Sequence, residues 1–337
     1  MPNSPEPVAS IIVLTWNGRE YIRECLDSLL DQDFDQLYEV VVVDNGSNDG
    51  TADMAAAYAG VKVHRLDRNY GFCEGNNFGL QLTRGRFVIF LNQDVVLHRS
   101  WLRELIGALE SSPSIQAAHG NIIQPWYPEF AAMERREPLG AAYTADVGRL
   151  GFIRYTKIGP SPSVQDTMFL HGVSIIVRRE LIGELGYAFD PDMFSHGEDL
   201  DLALRVRAAG YRTVVATRAT VYHKHTLDAT LSMYAFRKTV RTIRNRLLAF
   251  WKCCTWPEFM PIAAAVLLGA PLNAGEFGLP LRRRLLFFFL LLPPTFVAAI
   301  AMVASMPRYA ARRRQTLADR RADPWFFCRA LFFDTCR

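Results

Sequence analysis

The chain has 337 residues, enough for one large domain or two smaller ones whose core is stable without disulfides. Its six cysteines show neither metal-ligand spacing nor the density of a small secreted domain, which argues against structural zinc and favours reduced thiols. The first residues lack the basic region and long apolar run of a signal peptide, so we expect the folded N-terminal part to stay in the cytoplasm.

The net charge is modest, at +4, but it is unevenly distributed. Acidic residues concentrate before about residue 202 and arginines after it, which predicts contact with an anionic surface. The basic stretch adjoins strongly apolar segments and offers no aromatic stacking platform, so a membrane is favoured over nucleic acid.

Strands and helices alternate in the first part of the chain. Four apolar runs are typical of buried strands, namely residues 8 to 14, 40 to 43, 61 to 66 and 87 to 91. Helices are predicted between them, at residues 19 to 31, 51 to 59 and 76 to 83. The alternation predicts parallel βαβ units with right-handed crossovers. Ligands bind such sheets outside the carboxyl ends of the strands, so we expect ligand-facing turns there.

The second predicted strand ends at Asp44 and opens into a polar turn that contains Gly46 and Gly50. A carboxylate at this place in an open α/β sheet can accept hydrogen bonds from a nucleotide base or ribose. The alternative is that Asp44 or Asn45 only caps the next helix. The turn by itself leaves both interpretations open.

The fourth predicted strand ends at Asn92, and Asp94 follows it. Mg²⁺ and Mn²⁺ prefer hard oxygen ligands and often bind through one or two carboxylates plus substrate phosphates, so Asp94 is a candidate metal ligand. Asn92 offers only a neutral amide oxygen. The alternative for Asp94 is the N-cap of the helix that contains Trp101 and Leu102.

The pattern weakens over residues 121 to 166, where prolines are scattered among aromatic residues and glycines. This segment is interpreted as an acceptor-side lid or as a plain connecting loop. A strand-like run at 169 to 178 and a helix at 179 to 185 follow.

Glu198, Asp199 and Asp201 begin a helix that we expect to be amphipathic. Acidic residues suit a helix N-terminus through the macrodipole, and this structural role is one interpretation. The other is that one carboxylate is a general base, which requires an acceptor hydroxyl nearby and a suitable pKa. Further on, residues 220 to 225 predict a short edge strand on which His223 and His225 share a face, as metal or phosphate contacts or as structural residues.

The order of these motifs resembles the family 2 glycosyltransferases with the GT-A fold, inverting enzymes that use nucleotide sugars. The resemblance covers roughly residues 8 to 250. No motif is specific alone; the segments that carry it are Val-x-Asn-Gly-Ser-x-Asp-Gly-Thr at 43 to 51, Asn69 to Gly79, Leu91-Asn92-x-Asp94, Gly172 to Arg179, and Gly197 to Gly210.

The resemblance implies an α/β fold with a Rossmann-like, mostly parallel open sheet flanked by helices. It implies that Asp199 is the general base and that a Mn²⁺ or Mg²⁺ ion bridges the donor diphosphate. In such an enzyme the acceptor hydroxyl attacks the anomeric carbon while the base takes its proton. The other implied site residues are Thr15, Asp44, Asn69 and Asn92 for the nucleotide-sugar donor, and Asp94 and His223 for the metal.

Asn92 departs from the Asp-x-Asp pattern of the family but is similar to Asn-x-Asp in the rhamnosyltransferase-like branch, where a metal-binding histidine corresponds to His223. That branch implies L-rhamnose from dTDP-rhamnose as the donor sugar, and a lipid-linked or cell-envelope glycan as the acceptor. One alternative is a sugar nucleotidyltransferase, which would normally show a glycine-rich basic loop where Thr15 to Gly18 lies. The other is a non-catalytic sugar-nucleotide-binding or scaffold protein, which a transfer assay distinguishes.

We expect the catalytic domain to cover residues 1–235. Residues 236–260 predict a basic amphipathic helix at an anionic membrane interface, or a helix docked on the catalytic domain with solvated arginines. Residues 307–337 are expected to form a basic tail.

Residues 261–306 are expected to associate with the membrane. The part from 285 to 306 has no charged residue and, as a helix of roughly 33 Å, is long enough to cross a bilayer. Pro293 and Pro294 interrupt it, and arginines flank both ends, so the positive-inside rule gives no orientation. We expect a kinked re-entrant or hairpin element with both ends at the cytoplasmic face, with a single crossing as the alternative.

Overall fold

The computed structural model describes residues 6–123, 142–147, 153–158, 163–224, 233–272 and 281–333. His225 and most of the lid predicted over residues 121 to 166 lie outside these ranges.

The first half of the fold is a parallel sheet with helices between its strands. In chain order its elements are β1 (Ala9–Thr15), α1 (Ile22–Leu30), β2 (Tyr38–Asp44), α2 (Thr51–Ala56), β3 (Val61–Arg65), α3 (Gly71–Gln81) and β4 (Phe87–Asn92). The strands lie in the order β3-β2-β1-β4, and all neighbours are parallel. The βαβ prediction is confirmed, and the carboxyl ends of β1, β2 and β4 meet at one edge.

The second half extends this sheet with strands of both directions. Its elements are β5 (Val95–Leu97), α4 (Trp101–Glu110), β6 (Ile115–Ile123), β7 (Ala142–Val147), β8 (Ile153–Ile158), β9 (Val164–Asp166), β10 (Ser174–Arg178), α5 (Arg179–Leu185), α6 (Glu198–Ala208) and β11 (Arg212–His223). The order continues β4-β10-β6-β11-β5, with β9 also on β11, while β7 and β8 pair separately. β10 is antiparallel to β4 and β6, so the sheet is mixed and its uninterrupted parallel part is β3 to β4.

Two predictions about strands are wrong in this half. The strand that ends at His223 is neither short nor at an edge: β11 has 12 residues and lies between β6 and β5. The strand predicted at 169 to 178 begins only at Ser174, because His171 and Gly172 form a turn in which the Ser174 N–H donates to the His171 carbonyl.

The sheet carries a hydrophobic layer on each face, as the alternation of side chains along a strand requires. Ile11 and Ile89 face the layer of α1, α2 and α4, whereas Ile12 and Val88 face the layer of α3 and α6. The second layer also contains residues from the four C-terminal helices, so the packing continues across the boundary predicted at residue 235.

Helix α6 is buried on all sides and is not the amphipathic helix that the sequence predicts. Its charges are buried because they are paired. Asp201 contacts Arg205 on the same helix at 2.9 Å and Lys252 at 2.6 Å. A buried charge is tolerated only when such partners and hydrogen bonds offset its lost hydration.

The C-terminal helices are α7 (Met233–Cys253), α8 (Trp256–Leu272), α9 (Leu281–Ala318) and α10 (Phe326–Phe333). Helix α7 packs against α6 and α9, and its apolar stripe at Ile243, Leu247 and Trp251 is buried in the protein. This part of the stripe packs in the protein, as in the docked-helix alternative, while Phe236 and Val240 are only partly buried and interfacial contact by residues 236–260 stays a prediction. The predicted basic tail is also docked, since Arg312 contacts Asp190 at 2.6 Å.

Helix α9 continues through Pro293 and Pro294, so these residues do not break it; neighbouring groups in long apolar helices can satisfy the carbonyls that proline leaves free. Within the described residues, Phe289–Ala318 is one segment long and apolar enough to cross a membrane, judged by length and composition. Large apolar side chains are exposed on α8 and α9, among them Leu268, Phe289, Phe296, Ile300 and Val303.

Candidate active site

Asp44 ends β2 beside Thr15, its register partner at the end of β1. Its carboxylate is 3% exposed, and Oδ2 accepts a hydrogen bond from the Ser47 N–H at 3.3 Å. Oδ1 is buried and, among the described residues, has no hydrogen-bond partner. The cap of α2 is Gly50, which excludes the helix-cap interpretation of Asp44. A buried acceptor oxygen without a donor fits a ligand N–H or O–H group.

The turn after β1 is closed by Gln93, a residue that the sequence does not single out. The Gln93 amide accepts hydrogen bonds from the Thr15 hydroxyl and the Trp16 N–H, and it donates to the Trp16 carbonyl at 3.1 Å. Gln93 thus fixes the position of Thr15, a predicted donor-site residue.

Asn69 holds the start of α3 next to the turn that follows Asp44 by hydrogen bonds. Its side-chain oxygen accepts from the Gly71 N–H at 2.8 Å and from the Asn45 amide at 3.1 Å. Asn45 also accepts from the Tyr70 N–H and donates to the Gly71 carbonyl. These bonds give Asn69 and Asn45 a structural role at the site, while donor contact by Asn69 stays a prediction.

The two predicted metal ligands lie side by side. His223 Nε2 is 3.2 Å from Asp94 Oδ2, and the Lys224 N–H donates to the Asp94 carbonyl. The N-cap of α4 is Ser100, so Asp94 does not cap that helix. Asn92 lies at the end of β4, and its backbone N–H donates to the Val173 carbonyl.

Asp94 and His223 fit a divalent cation because a carboxylate oxygen and an imidazole nitrogen are both ligands for Mn²⁺. Among the described residues, no group of three His, Cys, Asp or Glu side chains converges. Water and substrate phosphates would have to supply the other ligands, as is common at Mg²⁺ sites.

Asp199 lies in the first turn of α6, against the turn that contains Gly172. A Cβ on Gly172 would lie 3.4 Å from Asp199 Oδ2, an ordinary van der Waals contact, so this turn lies directly against the carboxylate. Burial raises the pKa of the Asp199 carboxyl to about 6, against the lowering effect of backbone hydrogen bonds from Leu200 and Gly172. A carboxylate with this pKa is ionised near neutral pH and is a stronger base than an exposed one.

Glu198, the neighbour of Asp199, is buried more completely. Its burial, and next the charge of Asp199, raise its pKa to about 8. Glu198 is therefore mainly protonated at neutral pH. Asp199 remains the carboxylate that is ionised and can take a proton.

His171 connects the general-base candidate to the metal-ligand candidates. Its ring centroid is 6.5 Å from that of His223, and the next residue, Gly172, touches Asp199. Asp94, His223 and Asp199 are therefore brought together around the turn of His171 and Gly172, while their roles stay predictions. His171 is missed by the sequence analysis, although its place immediately before Gly172 was a usable signal.

The turn before α6 holds two non-glycine residues in the left-handed region. Phe194 has φ 62° and His196 has φ 65°, and both precede Gly197 at φ 105°. Asn245 of α7 holds this turn by donating to the carbonyls of Met193, Ser195 and His196. Backbone strain of this kind persists only where surrounding contacts fix it, and it clusters at functional sites.

Solved structures with a similar fold are glycosyltransferases. The mannosyltransferase PcManGT from Pyrobaculum calidifontis, solved with GDP-Man and Mn²⁺, matches 94% of this chain and 86% of its own at TM-score 0.56 and 20% identity. TarS 1-349 of S. aureus, solved with UDP, matches 92% of this chain and 88% of its own at TM-score 0.54 and 20% identity. Together with the mixed sheet, these likenesses define the GT-A fold.

Sequence comparison gives the family. The family described as glycosyl transferase family 2 matches residues 10–186, and the chain belongs to this family. The glycosyltransferase AglE of Haloferax volcanii is 26% identical over 62% of this chain and 64% of its own length. The uncharacterized protein y4gI of Sinorhizobium fredii is 26% identical over 74% of this chain and 28% of its own. The chain thus spans less than two thirds of the length of these relatives.

Proposed function

We propose that the protein is a divalent-cation-dependent, inverting glycosyltransferase that moves a sugar from a nucleoside diphosphate sugar to a glycan acceptor. The observation that carries this proposal is the order of groups along one sheet edge. The buried free oxygen of Asp44 comes first, the Asp94–His223 pair lies further along, and Asp199 stands beside Gly172. The first place suits the nucleotide base, the second a metal-bound diphosphate, and the third an acceptor hydroxyl.

In the proposed reaction Asp44 orients the nucleoside by accepting a hydrogen bond at Oδ1. Asp94 and His223 would hold the cation, which when bound stabilises the negative charge of the departing diphosphate. Asp199 takes the proton of the acceptor hydroxyl as that oxygen attacks the anomeric carbon. Direct displacement from the face opposite the diphosphate inverts the anomeric centre.

For the donor we propose dTDP-rhamnose. This choice is supported by the similarity of Asn69 to Gly79 and of Asn92-x-Asp94 to the rhamnosyltransferase-like branch. Solved neighbours hold other nucleotide sugars: PcManGT is solved with GDP-Man and TarS 1-349 with UDP-GlcNAc. The donor identity is therefore tested by a panel that includes these nucleotide sugars.

For the acceptor we propose a lipid-linked or cell-envelope glycan at the cytoplasmic face of the membrane. A relative of this chain is the poly(ribitol-phosphate) beta-N-acetylglucosaminyltransferase TarS of Staphylococcus aureus, 34% identical over 31% of this chain and 19% of its own. The exposed apolar side chains of α8 and α9 support membrane association, in the form of a hairpin whose two ends stay with the catalytic domain.

The proposed function is tested with the full chain purified in detergent. Its thermal unfolding is measured with a panel of nucleotide sugars in the presence of Mn²⁺ and of EDTA, followed by nucleoside diphosphate release with a glycan acceptor. We expect stabilisation by one donor, dependent on Mn²⁺, and acceptor-dependent release. Absence of stabilisation by every nucleotide sugar would overturn the proposal.

A further inference from the structure

The first half of α7 carries a row of arginines that reaches the turn before the general base. Arg237, Arg241 and Arg244 are spaced so that they share one helix face. The sequence contains no acidic residue between Asp228 and Glu258. This face of α7 is therefore strongly positive along its length.

Two of these arginines contact neutral groups within the described part of the chain. Arg241 Nη1 donates to Ser195 Oγ at 3.1 Å, and its guanidinium lies 4.8 Å from the ring centroid of Phe194. Arg244 donates from Nε and Nη2 to the side-chain oxygen of Asn245, at 3.0 and 2.6 Å. These contacts orient both guanidinium groups without neutralising their charge.

Both arginines lie close to the reacting end of α6. Asn245, adjacent to Arg244, holds the carbonyls of Ser195 and His196 in the turn that leads to Asp199. The charge of Arg241 also acts on Glu198, where it lowers the pKa against the larger effects of burial and of Asp199. Since Glu198 is mainly protonated at neutral pH, it does not cancel the arginine charge.

We propose that Arg241 and Arg244 bind a phosphate group of the acceptor. The inference rests on the proposed function and deepens it: the acceptor is a sugar joined to a lipid through a diphosphate. Guanidinium groups bind phosphate oxygens in pairs, which fixes the orientation of the group attached to the phosphate. The donor diphosphate is assigned to Asp94 and His223 at the sheet edge, whereas α7 approaches Asp199 from the helix layer.

The lipid part of such an acceptor has an apolar surface close by. Helix α7 leads directly into α8, which packs against α9. Met260 and Leu268 of α8 and Phe296 of α9 are each more than half exposed, at 61%, 68% and 68%. A phosphate held at Arg241 and Arg244 would place the sugar toward Asp199 and the lipid toward α8 and α9.

The test uses farnesyl diphosphate as the probe, because it carries a diphosphate and a short lipid but no sugar. Its affinity for the full chain in detergent is measured with dTDP and Mn²⁺ at saturation, so that the donor site is filled. We expect Arg241→Gln and Arg244→Gln to weaken its binding about tenfold each. Arg237→Gln, which removes the same charge one helical turn further from Ser195, should stay within about twofold.

Arg241→Lys tests whether paired hydrogen-bond donors are needed besides the charge, and nucleotide binding tests whether the variants are folded. Arg241→Lys keeps the charge but loses the paired donors, so we expect an intermediate affinity. Binding of dTDP with Mn²⁺ should be unchanged in all variants, which shows that they are folded. If dTDP and every other nucleoside diphosphate of the panel fail to bind the wild-type protein with Mn²⁺, the proposed function fails, whatever farnesyl diphosphate does.

Three results would overturn the phosphate assignment itself. One is that the wild-type protein binds farnesyl diphosphate no more tightly than farnesol. Another is an equal loss of affinity in Arg237→Gln, which would indicate a general charge effect. The third is an equal loss of binding to phosphatidylglycerol vesicles in Arg241→Gln and Arg244→Gln, which would assign these arginines to phospholipid headgroups.

Discussion

His223 and Asp94 come from distant parts of the chain, yet His223 Nε2 lies 3.2 Å from Asp94 Oδ2. The contact depends on the pairing of β11 with β5, in which His223 is the register partner of Val95. This pairing brings the end of a long strand to the residue that follows β4. The arrangement fits two ligands of one divalent cation.

Asp94→Ala and His223→Ala should each weaken Mn²⁺-dependent dTDP binding at least about tenfold, because each removes one of two protein ligands. His98→Ala removes an exposed histidine and should leave this affinity unchanged. Isothermal titration with and without EDTA measures the effect. Equal dTDP affinity in Asp94→Ala and the wild-type protein, with Mn²⁺ present, would contradict the metal assignment.

Asp44→Asn should weaken nucleotide binding about tenfold, because it replaces a buried acceptor by an amide that can offer N–H groups where a donor is expected. The matched control is Asp53→Asn, whose carboxylate is exposed and paired with Arg65. The binding constants of UDP and dTDP give the comparison. An equal loss of nucleotide affinity in Asp53→Asn would show that the effect does not come from contact between Asp44 and the nucleotide base.

Glu198→Gln should stabilise the protein increasingly as the pH rises from 5 to 8. Burial and the charge of Asp199 raise the pKa of Glu198 to about 8, so the folded protein holds a proton that the unfolded chain has already released. The stability that this proton contributes is present at low pH and is lost as the pH rises through the folded pKa. Glutamine has no such loss. The difference in melting temperature between variant and wild type, measured across this range, should grow with pH.

The control for Glu198 is Glu180→Gln, which makes the same substitution at an exposed residue of α5. A difference that is constant between pH 5 and 8 in Glu198→Gln would contradict the raised pKa.

Lys252→Met should destabilise the fold by about 3–5 kcal/mol, because it removes the buried cation shared by two buried carboxylates and leaves each with a single cationic partner. Lys252 contacts Asp190 at 2.7 Å and Asp201 at 2.6 Å, and all three side chains are fully buried. Arg99→Met removes an exposed ion pair with Asp31 and should cost less than about 1 kcal/mol. Denaturant unfolding in detergent measures both. Similar costs for the two variants would be inconsistent with the buried network.

The parallel half of the fold could be predicted from the sequence because its strands are apolar runs and its helices lie between them in regular alternation. The helix at 179 to 185 was placed at its observed bounds. The direction of β10 could not be predicted, because a run of buried apolar residues such as Ser174–Arg178 is equally compatible with a parallel and an antiparallel strand. The burial of α6 depends on Lys252, a residue that only the tertiary structure brings near.

The site shows the same division. Asp44 and Asp94 are candidates because of their places at the ends of strands, whereas the choice of Asp199 among the three carboxylates at the start of α6 comes from the family resemblance. Gln93 and Asn245 do not, because their roles consist of contacts with backbone groups far away in the sequence.

The measurement that tests the central claim most directly is sugar transfer by Asp199→Asn, made together with donor binding. The variant should bind the nucleotide sugar with wild-type affinity but transfer it about 10²- to 10⁴-fold more slowly, because the base is lost. The wild-type rate should rise with pH through about 6, where Asp199 ionises. Near-normal turnover by Asp199→Asn would show that another group takes the proton and would contradict the account.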